Sequence, residues 1–432
     1  MELTTIAIVA LLVLFLFLFL GMPIGFGMAL IGFCGSIYVV GLKGGLSVLK
    51  TFPYQYSASY ALVVIPLFVL MGEVAFRAEL SWDIYRSTNK LFGGLPGSLA
   101  MATVCGCAGF AAISGSSLAT AATMGGVALP EMKKFKYNRR LATGCVAAGG
   151  SLGILIPPSI ILVLYAIMTE QSIGKLFMAG FLPGLLEAFL YMVTIFIIAK
   201  LRPTWAPPAS KTSWAEKAVA VKTAWVPLLL FLVVIGGIYI GVFTPTEAAA
   251  VGALGSFIVL FARSLASRQN IIDCFFTAGR TTGMIFGILI GAMILNYFMG
   301  ITMMPMTLAN FVGGLPIPPL AIIVCIIIIY LFLGCIMDPM AMILLTVPIF
   351  FPLTVDLGFD PIWFGILVVR VVEIGLITPP IGINVFIIKG VDKDIPLSEV
   401  FLGILPFLAA DIFCVSLLVA FPQIALFLPS TM

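Results

Sequence analysis

The chain has 432 residues, 62% of them hydrophobic and 9% charged, and a mean hydropathy of +1.23. No water-soluble domain carries such a composition without aggregating, so the chain is an integral membrane protein. Its net charge of +4 says little by itself, because in a bilayer the positions of the basic residues matter more than their sum; no nucleic-acid partner is expected.

The apolar runs Leu3 to Leu20, Leu228 to Val242, Leu320 to Leu333 and Leu402 to Phe421 have helical rather than alternating character, and no series of dyad strands of about ten residues accompanies them. The expected class is an all-α polytopic membrane protein. Met1 to Thr5 lacks a positive leader, and the first run passes without a polar gap into Gly21-Met-Pro-Ile-Gly25 and another span. These are expected to form a retained helix pair rather than a cleaved signal.

Further along, Arg77, Arg86 and Lys90 follow the third span, and Lys133, Lys134, Lys136, Arg139 and Arg140 form a cluster. Lys200, Arg202, Lys211, Lys217 and Lys222 fill a central proline-rich stretch, Arg263, Arg268 and Arg280 the next polar loop, and Lys389 and Lys393 a late one. With these five loops on the cytoplasmic side, only Lys43, Lys50 and Lys175 lie outside and Arg370 within a span. Both termini then fall on the outer face. The segment from Leu95 to Pro130 joins two basic loops and should enter and return from the cytoplasm; Pro316 to Val355, with no basic flank, should enter and return from outside.

Two segments match across the halves. Gly153-Ile-Leu-Ile-Pro-Pro158 returns as Gly375-Leu-Ile-Thr-Pro-Pro380, and Ile113, Thr123, Gly180 and Pro183 fall opposite Ile336, Thr346, Gly403 and Pro406 with a one-residue slip. Each proline pair interrupts an apolar run long enough to span, so each marks a discontinuous helix. The organisation this predicts is an inverted repeat. Residues 1–200 form the first copy (hairpin about 95–130, broken helix about 141–168), 201–222 a cytoplasmic linker, and 223–432 the second copy (hairpin about 316–355, broken helix about 361–388).

An open helix end in hydrocarbon must find partners for its backbone groups. Carbonyls left without donors upstream of Pro157, Pro158, Pro379 and Pro380, with the hydroxyls of Ser114, Ser116, Ser117 and Thr378, suit a small hard cation such as sodium; the competing reading is that Ser and Gly only let helices pack closely. Asp338, at a hairpin turn before Pro339, either binds a cation or caps the second hairpin arm. Arg370 and Glu373, three apart on one helical face, are expected to neutralise each other. Glu73, Glu187, Glu247 and Asp411 are read as lying near span ends or on scaffold helices, without a transport role.

The eight cysteines are read as small core residues, and with a lone Cys105-Gly-Cys107 and no histidine a transition-metal site is not expected. An intramembrane protease is disfavoured: there is no histidine, and a nominal Asp338 and Asp411 dyad lacks a supporting motif.

The stretches ISGSSLATAAT, GILIPPS, FTPTEAAAVGA, MDPMAMILLTVPI and GLITPPIG resemble the DctM-type large membrane subunit of the TRAP (tripartite ATP-independent periplasmic) transporters, and the likeness covers essentially the whole chain. The resemblance implies an elevator-type secondary transporter of the bacterial inner membrane that takes an organic acid from a periplasmic binding protein, with sodium ions as coupling ions and no other cofactor. It also implies a small four-helix membrane subunit, here expected as a separate chain because only Met-Glu-Leu precedes the first span. Carried over by motif, one sodium site falls at Ser114, Gly115, Ser116 and Ser117 with Gly153, Ile156 and Pro158. The second falls at Asp338 with Gly375, Thr378, Pro379 and Gly382, and substrate would lie between the hairpin tips with Asn384 a candidate contact. The alternative is a stand-alone elevator-type sodium and dicarboxylate symporter or exporter.

Overall fold

A computed structural model describes residues 3–207 and 212–432; residues 208–211 of the expected central linker lie outside the described residues. The first half runs α1 (Leu3–Phe19), α2 (Ile24–Ser57), α3 (Val64–Arg77), α4 (Leu80–Phe92), α5 (Ser98–Ser114), α6 (Ser117–Lys134), α7 (Arg139–Leu155), α8 (Ile160–Thr169) and α9 (Ile173–Leu201). Then come α10 (Trp214–Thr223), α11 (Trp225–Phe231), α12 (Gly237–Tyr239), α13 (Pro245–Ala262) and α14 (Arg268–Ile301). The chain closes with α15 (Met304–Gly313), α16 (Pro319–Gly334), α17 (Pro339–Asp356), α18 (Pro361–Ile377), α19 (Ile383–Val391), α20 (Leu397–Ala420) and α21 (Gln423–Leu426). Among the described residues every regular element is a helix, and 8 helices are long and apolar enough to cross a membrane, or up to 9 if the bent pair Trp214–Thr223 and Trp225–Tyr239 is one span.

Local sequence explains where the helices start. Ser116, Asn138, Ser159 and Ser172 accept hydrogen bonds from the first turns of α6, α7, α8 and α9, and Asp360 does the same for α18, each satisfying a backbone donor that a helix start leaves open. The region read as a linker is not all irregular. Ser213 and Glu216 form a capping box that starts α10, a signal that charge and proline content concealed.

Burial sorts the helices into a centre and a surround. Every residue from Leu141 to Leu155 in α7 and from Trp363 to Ile377 in α18 is buried, which places the two helices that lead into the proline pairs at the core. In contrast, α1 exposes Leu12 and Phe19 at 64% and 71%, a surface that only lipid or another membrane protein would cover. Around the centre, α5, α6, α9 and α20 pack on α7, and α16, α17, α9 and α20 on α18; further out α2 lies along α14 and α3 along α13. Close approach depends on glycine: a Cβ on Gly32 would stand 2.6 Å from the Leu295 backbone in α14, so a larger residue there would force the pair apart. Cys107, Cys145, Cys274, Cys335 and Cys414 are buried, while Cys34 and Cys325 are exposed, so the core reading of the cysteines does not extend to those two.

Arg370 pairs with Glu373 as expected, and the pairing extends to Glu187 and Asp411. Arg370 is fully buried in α18, and its Nη1 lies 3.0 Å from Glu187 Oε1 in α9 and 3.4 Å from Glu373 Oε2, while Nη2 lies 2.5 Å from Asp411 Oδ1 in α20. Of the two placements expected for Glu187 and Asp411, near span ends or on scaffold helices, the structure has both acids well inside α9 and α20. Their helices wrap α18 and aim both carboxylates at one guanidinium, whose fork of donors can serve several acceptors at once. Tyr191 donates to Asp411 at 2.5 Å, and Glu373 accepts the Ile154 backbone N–H of α7 at 3.2 Å. The cluster thus fastens α7, α9, α18 and α20 together. Replacing the cation while leaving three buried acids removes their compensation, so Arg370→Met should destabilise the fold by about 3–5 kcal/mol, measured as a fall in the thermal midpoint and in the yield of monodisperse protein.

Candidate functional site

The turn between α5 and α6 is built by two residues with opposite backbone demands. Gly115 takes φ +61, the left-handed conformation that favours glycine, and Ser116 is extended as the N-cap of α6. The turn is tied by Thr120, whose hydroxyl donates to the Ser116 carbonyl at 2.7 Å and lies 3.2 Å from the Ser114 hydroxyl. Against this turn stands Gly153 of α7: a Cβ there would meet the Ser116 carbonyl carbon and oxygen at 2.7 Å. A Cβ on Gly115 would meet the Pro158 carbonyl oxygen at 2.5 Å. The structure therefore brings together Ser114, Gly115, Ser116 and Ser117 with Gly153 and Pro158, and Ile156 lies in the same interruption.

That interruption runs from Leu155 to Ile160. Ile156 leaves the helix in an extended conformation, and Ser159 caps α8 through the Leu162 N–H at 3.3 Å. Because Pro157 and Pro158 have no N–H, the Gly153 and Ile154 carbonyls lack the donor that a continuous helix would supply. The whole stretch 151–160 is buried.

In the second half, α18 gives way at Thr378, which is extended, and Gly382 returns the chain to α19 with φ +61. Thr378 donates its hydroxyl to the Ile374 carbonyl at 2.6 Å and its N–H to the Gly375 carbonyl at 3.2 Å. Gly375 lies against the end of α16, where its Cβ would be 2.5 Å from Gly334. Here the two halves differ: Pro157 and Pro158 are buried, whereas Pro379 and Pro380 are exposed.

Asp338 caps α17, its Oδ1 accepting the Met340 and Ala341 N–H groups at 3.0 and 3.4 Å, with Pro339 at the first helical position. Among the described residues no hydrogen bond joins Asp338 to Thr378 or Gly382. Instead Asp338, Pro339 and Met340 share a cavity of about 40 Å³ with Gly115, Ser116, Ser117, Leu118, Ile154 and Ile161. The two hairpin turns thus face each other across a space that admits a water-sized species and no organic acid. Its edge offers hydroxyl, carbonyl and carboxylate oxygens, the donor set of a hard monovalent or divalent cation.

Asn384 does not line this cavity. It is fully buried, its Nδ2 donates to the Ala147 carbonyl of α7 at 3.4 Å, and its Oδ1 has no hydrogen-bond partner. Asp338 and Asp411 are not brought together either, since Asp411 belongs to the Arg370 cluster. A second cavity, about 490 Å³, lies further along α6 between Ala122, Thr123 and Gly126 and the ends of α3 and α4, with Arg77, Glu79 and Asn270 in its wall. Arg77 faces Asp273 at 3.6 Å and keeps a buried Nε without a partner. Sequence reasoning assigned Arg77 to a cytoplasmic loop alone; an isolated arginine at a helix end carries no sign of the cavity that tertiary packing leaves beside it.

The chain is similar to known proteins in sequence and in fold. A family model described as the tripartite ATP-independent periplasmic transporter, DctM component, matches residues 11–424. The C4-dicarboxylate TRAP transporter large permease protein DctM of Pseudomonas aeruginosa is 38% identical over 403 residues, which cover 90% of this chain and 93% of that protein. The sialic acid TRAP transporter large permease protein SiaM of Vibrio cholerae is 32% identical over 410 residues, 95% of each chain. Among solved structures, the Alcanivorax borkumensis YdaH transporter is similar with a TM-score of 0.63 over 87% of this chain and 88% of that one; at 14% identity this is a likeness of fold alone. The chain belongs to the DctM family, the large permeases of the TRAP transporters, and is a membrane transport protein rather than an enzyme.

Proposed function

We propose that the chain is the translocating subunit of a sodium-coupled secondary transporter that imports a small organic acid delivered by a periplasmic binding protein. The observation that carries this reading is the small oxygen-edged cavity where the turns of two helical hairpins meet beside a proline-interrupted helix. Sodium is the ion of choice for such a site because hydroxyls and freed carbonyls can replace its water without a high local charge. Ser114, Ser116 and Ser117 with the carbonyls near Gly153, Ile156 and Pro158 form the first site. Thr378, Gly375, Pro379 and Gly382 form the second, and Asp338, which caps α17, faces the first through the shared cavity.

The hairpins α5–α6 and α16–α17 are re-entrant in this reading, from opposite faces of the membrane, and the halves 1–200 and 223–432 are inverted repeats about the 201–222 linker. The buried unit around α7 and α18 then moves, as an elevator, against α2, α3, α13 and α14. Substrate requires more room than the ion cavity has. The larger cavity begins about one turn further along α6, and Arg77 in its wall suits a carboxylate leaving toward the cytoplasm. The names of the Pseudomonas and Vibrio relatives, which refer to a dicarboxylate and to sialic acid, support an organic acid as cargo. A separate four-helix membrane subunit completes the assembly in the bacterial inner membrane, with both termini of this chain periplasmic.

Reconstituted with its small subunit and binding protein, the chain should accumulate substrate only under an inward sodium gradient, followed by radiolabel uptake. Equal uptake without sodium would sink the coupling, and undiminished uptake without the binding protein would identify a stand-alone carrier. Ser116→Ala combined with Thr378→Ala should raise the sodium concentration for half-maximal uptake by about tenfold, which corresponds to about 1.4 kcal/mol of lost cation–oxygen attraction, at unchanged protein yield. A matching loss of folded protein would instead mark these hydroxyls as packing groups. Gly153→Val should abolish uptake, because its side chain would occupy the space of the Ser116 backbone.

A further inference from the structure

The Arg370 cluster has more negative charge than its one cation can balance. Glu187, Glu373 and Asp411 all lie on the same guanidinium, and all four side chains are 0% exposed. With every acid ionised the group would carry two uncompensated negative charges in a space closed to water, and like charges this close do not all ionise. The other groups facing it are Tyr191 of the same helix as Glu187, Ser151 of α7 and the Cys414 thiol of α20, none of them cationic. The remaining helices packed on α9, namely α5, α8, α12 and α21, contain no charged residue.

The three acids are not equally satisfied. Asp411 Oδ1 takes two donors at 2.5 Å, from Tyr191 and from Arg370 Nη2. Glu373 takes the Ile154 N–H and shares Nη1. Glu187 shares that same Nη1, and its next donor, the Ser151 hydroxyl, stands at 3.4 Å and is committed to the Ala148 carbonyl at 2.6 Å. Glu187 Oε2 and Asp411 Oδ2 are both buried without any partner, and so is Arg370 Nε, so the third edge of the guanidinium serves neither oxygen. Among the described residues no acidic group gathers in a geometry that would hold a metal ion.

We infer that Glu187 is a proton-binding site, occupied at neutral pH, and that this resident proton removes one of the two uncompensated charges of the cluster. The proton is taken from water as the helices assemble: an O–H bond forms on Glu187, one carboxylate becomes a neutral acid, and the net charge of the cluster falls from two negative to one. Neutral Glu187 still offers Oε1 to Arg370 Nη1, while its O–H becomes a donor in a cluster where Asp411 Oδ2 lacks one. Asp411 keeps the charge because it keeps the better donors. The proton thereby belongs to the framework that joins α7, α9, α18 and α20, rather than to the cation sites.

The test is infrared spectroscopy of the purified full-length chain in lipid nanodiscs at pH 7, in D₂O, with glutamate selectively labelled at its side-chain carboxyl carbon. Wild type should show a protonated-carboxyl C=O band that the glutamate label shifts, and Glu187→Gln should lose that band. A spectrum without the band, or a band undiminished in Glu187→Gln, would overturn the assignment in favour of a carboxylate solvated by buried water. Stability gives an independent reading. Because glutamine reproduces the size and neutrality of the protonated acid, Glu187→Gln should keep the thermal midpoint within about 2 °C, whereas loss of an ionised partner of Arg370 would lower it by about 10 °C or prevent folding.

Discussion

The constraint on which this molecule turns is that a backbone surrounded by hydrocarbon has no water to satisfy it. A continuous helix meets the requirement within itself. Two of the most buried helices, α7 and α18, do not stay continuous: each runs into a pair of prolines that supply no N–H. Everything nearby answers that deficit. Serines cap the restarted helix and the facing hairpin arm, glycines let backbone approach backbone, and the turn at Gly115 packs against the first interruption. The same deficit that would be a defect in a structural span leaves backbone oxygens without helical donors at the centre of the bundle.

Holding such breaks in register takes rigidity elsewhere. The Arg370 cluster supplies it at the point where α7, α9, α18 and α20 converge, and Glu373 reaches from the second interrupted helix to the Ile154 amide in the first. Ionic groups of this kind add little net stability relative to well-packed apolar residues, but they tolerate few alternative arrangements, since any displacement strands a charge. One residue of that cluster, Glu373, lies only two positions before Gly375. The geometry of the two interruptions is therefore mechanically joined, through one carboxylate and one backbone amide.

The two halves are alike in their interruptions and unlike in their surroundings. Pro157 and Pro158 are covered on all sides, whereas Pro379 and Pro380 are exposed. Asp338 has no counterpart acid in the first hairpin, where Ser116 does the capping. This asymmetry lets one turn bring a carboxylate to a cavity that the other lines with hydroxyls. Charge is then present on one side of that cavity only, and the first hairpin keeps a neutral face toward the polar space along α6.

How much of this was legible beforehand depends on the range of the interaction involved. Helical class, the proline interruptions and the hairpin turns were readable because each depends on neighbours in sequence: apolar run length, a missing N–H, a Gly-Ser or Asp-Pro turn. The capping box that starts α10 was equally local and was missed only because the surrounding charge and proline content suggested a linker. The pairing of Glu187 and Asp411 was not legible for a different reason. An acid within an apolar run should itself signal an intramembrane partner, but that the partner is Arg370, on a third helix, depends on how α9 and α20 rotate against α18. The position of Asp338 beside Ser116, and of Asn384 against α7, likewise belong to packing between halves that share no sequence contact. Sequence alone determined where the chain must break and which atoms would be left unsatisfied, since backbone chemistry is written residue by residue. Only the tertiary structure decided which of those atoms face one another, because burial, charge pairing and cavity size exist only once distant helices have met.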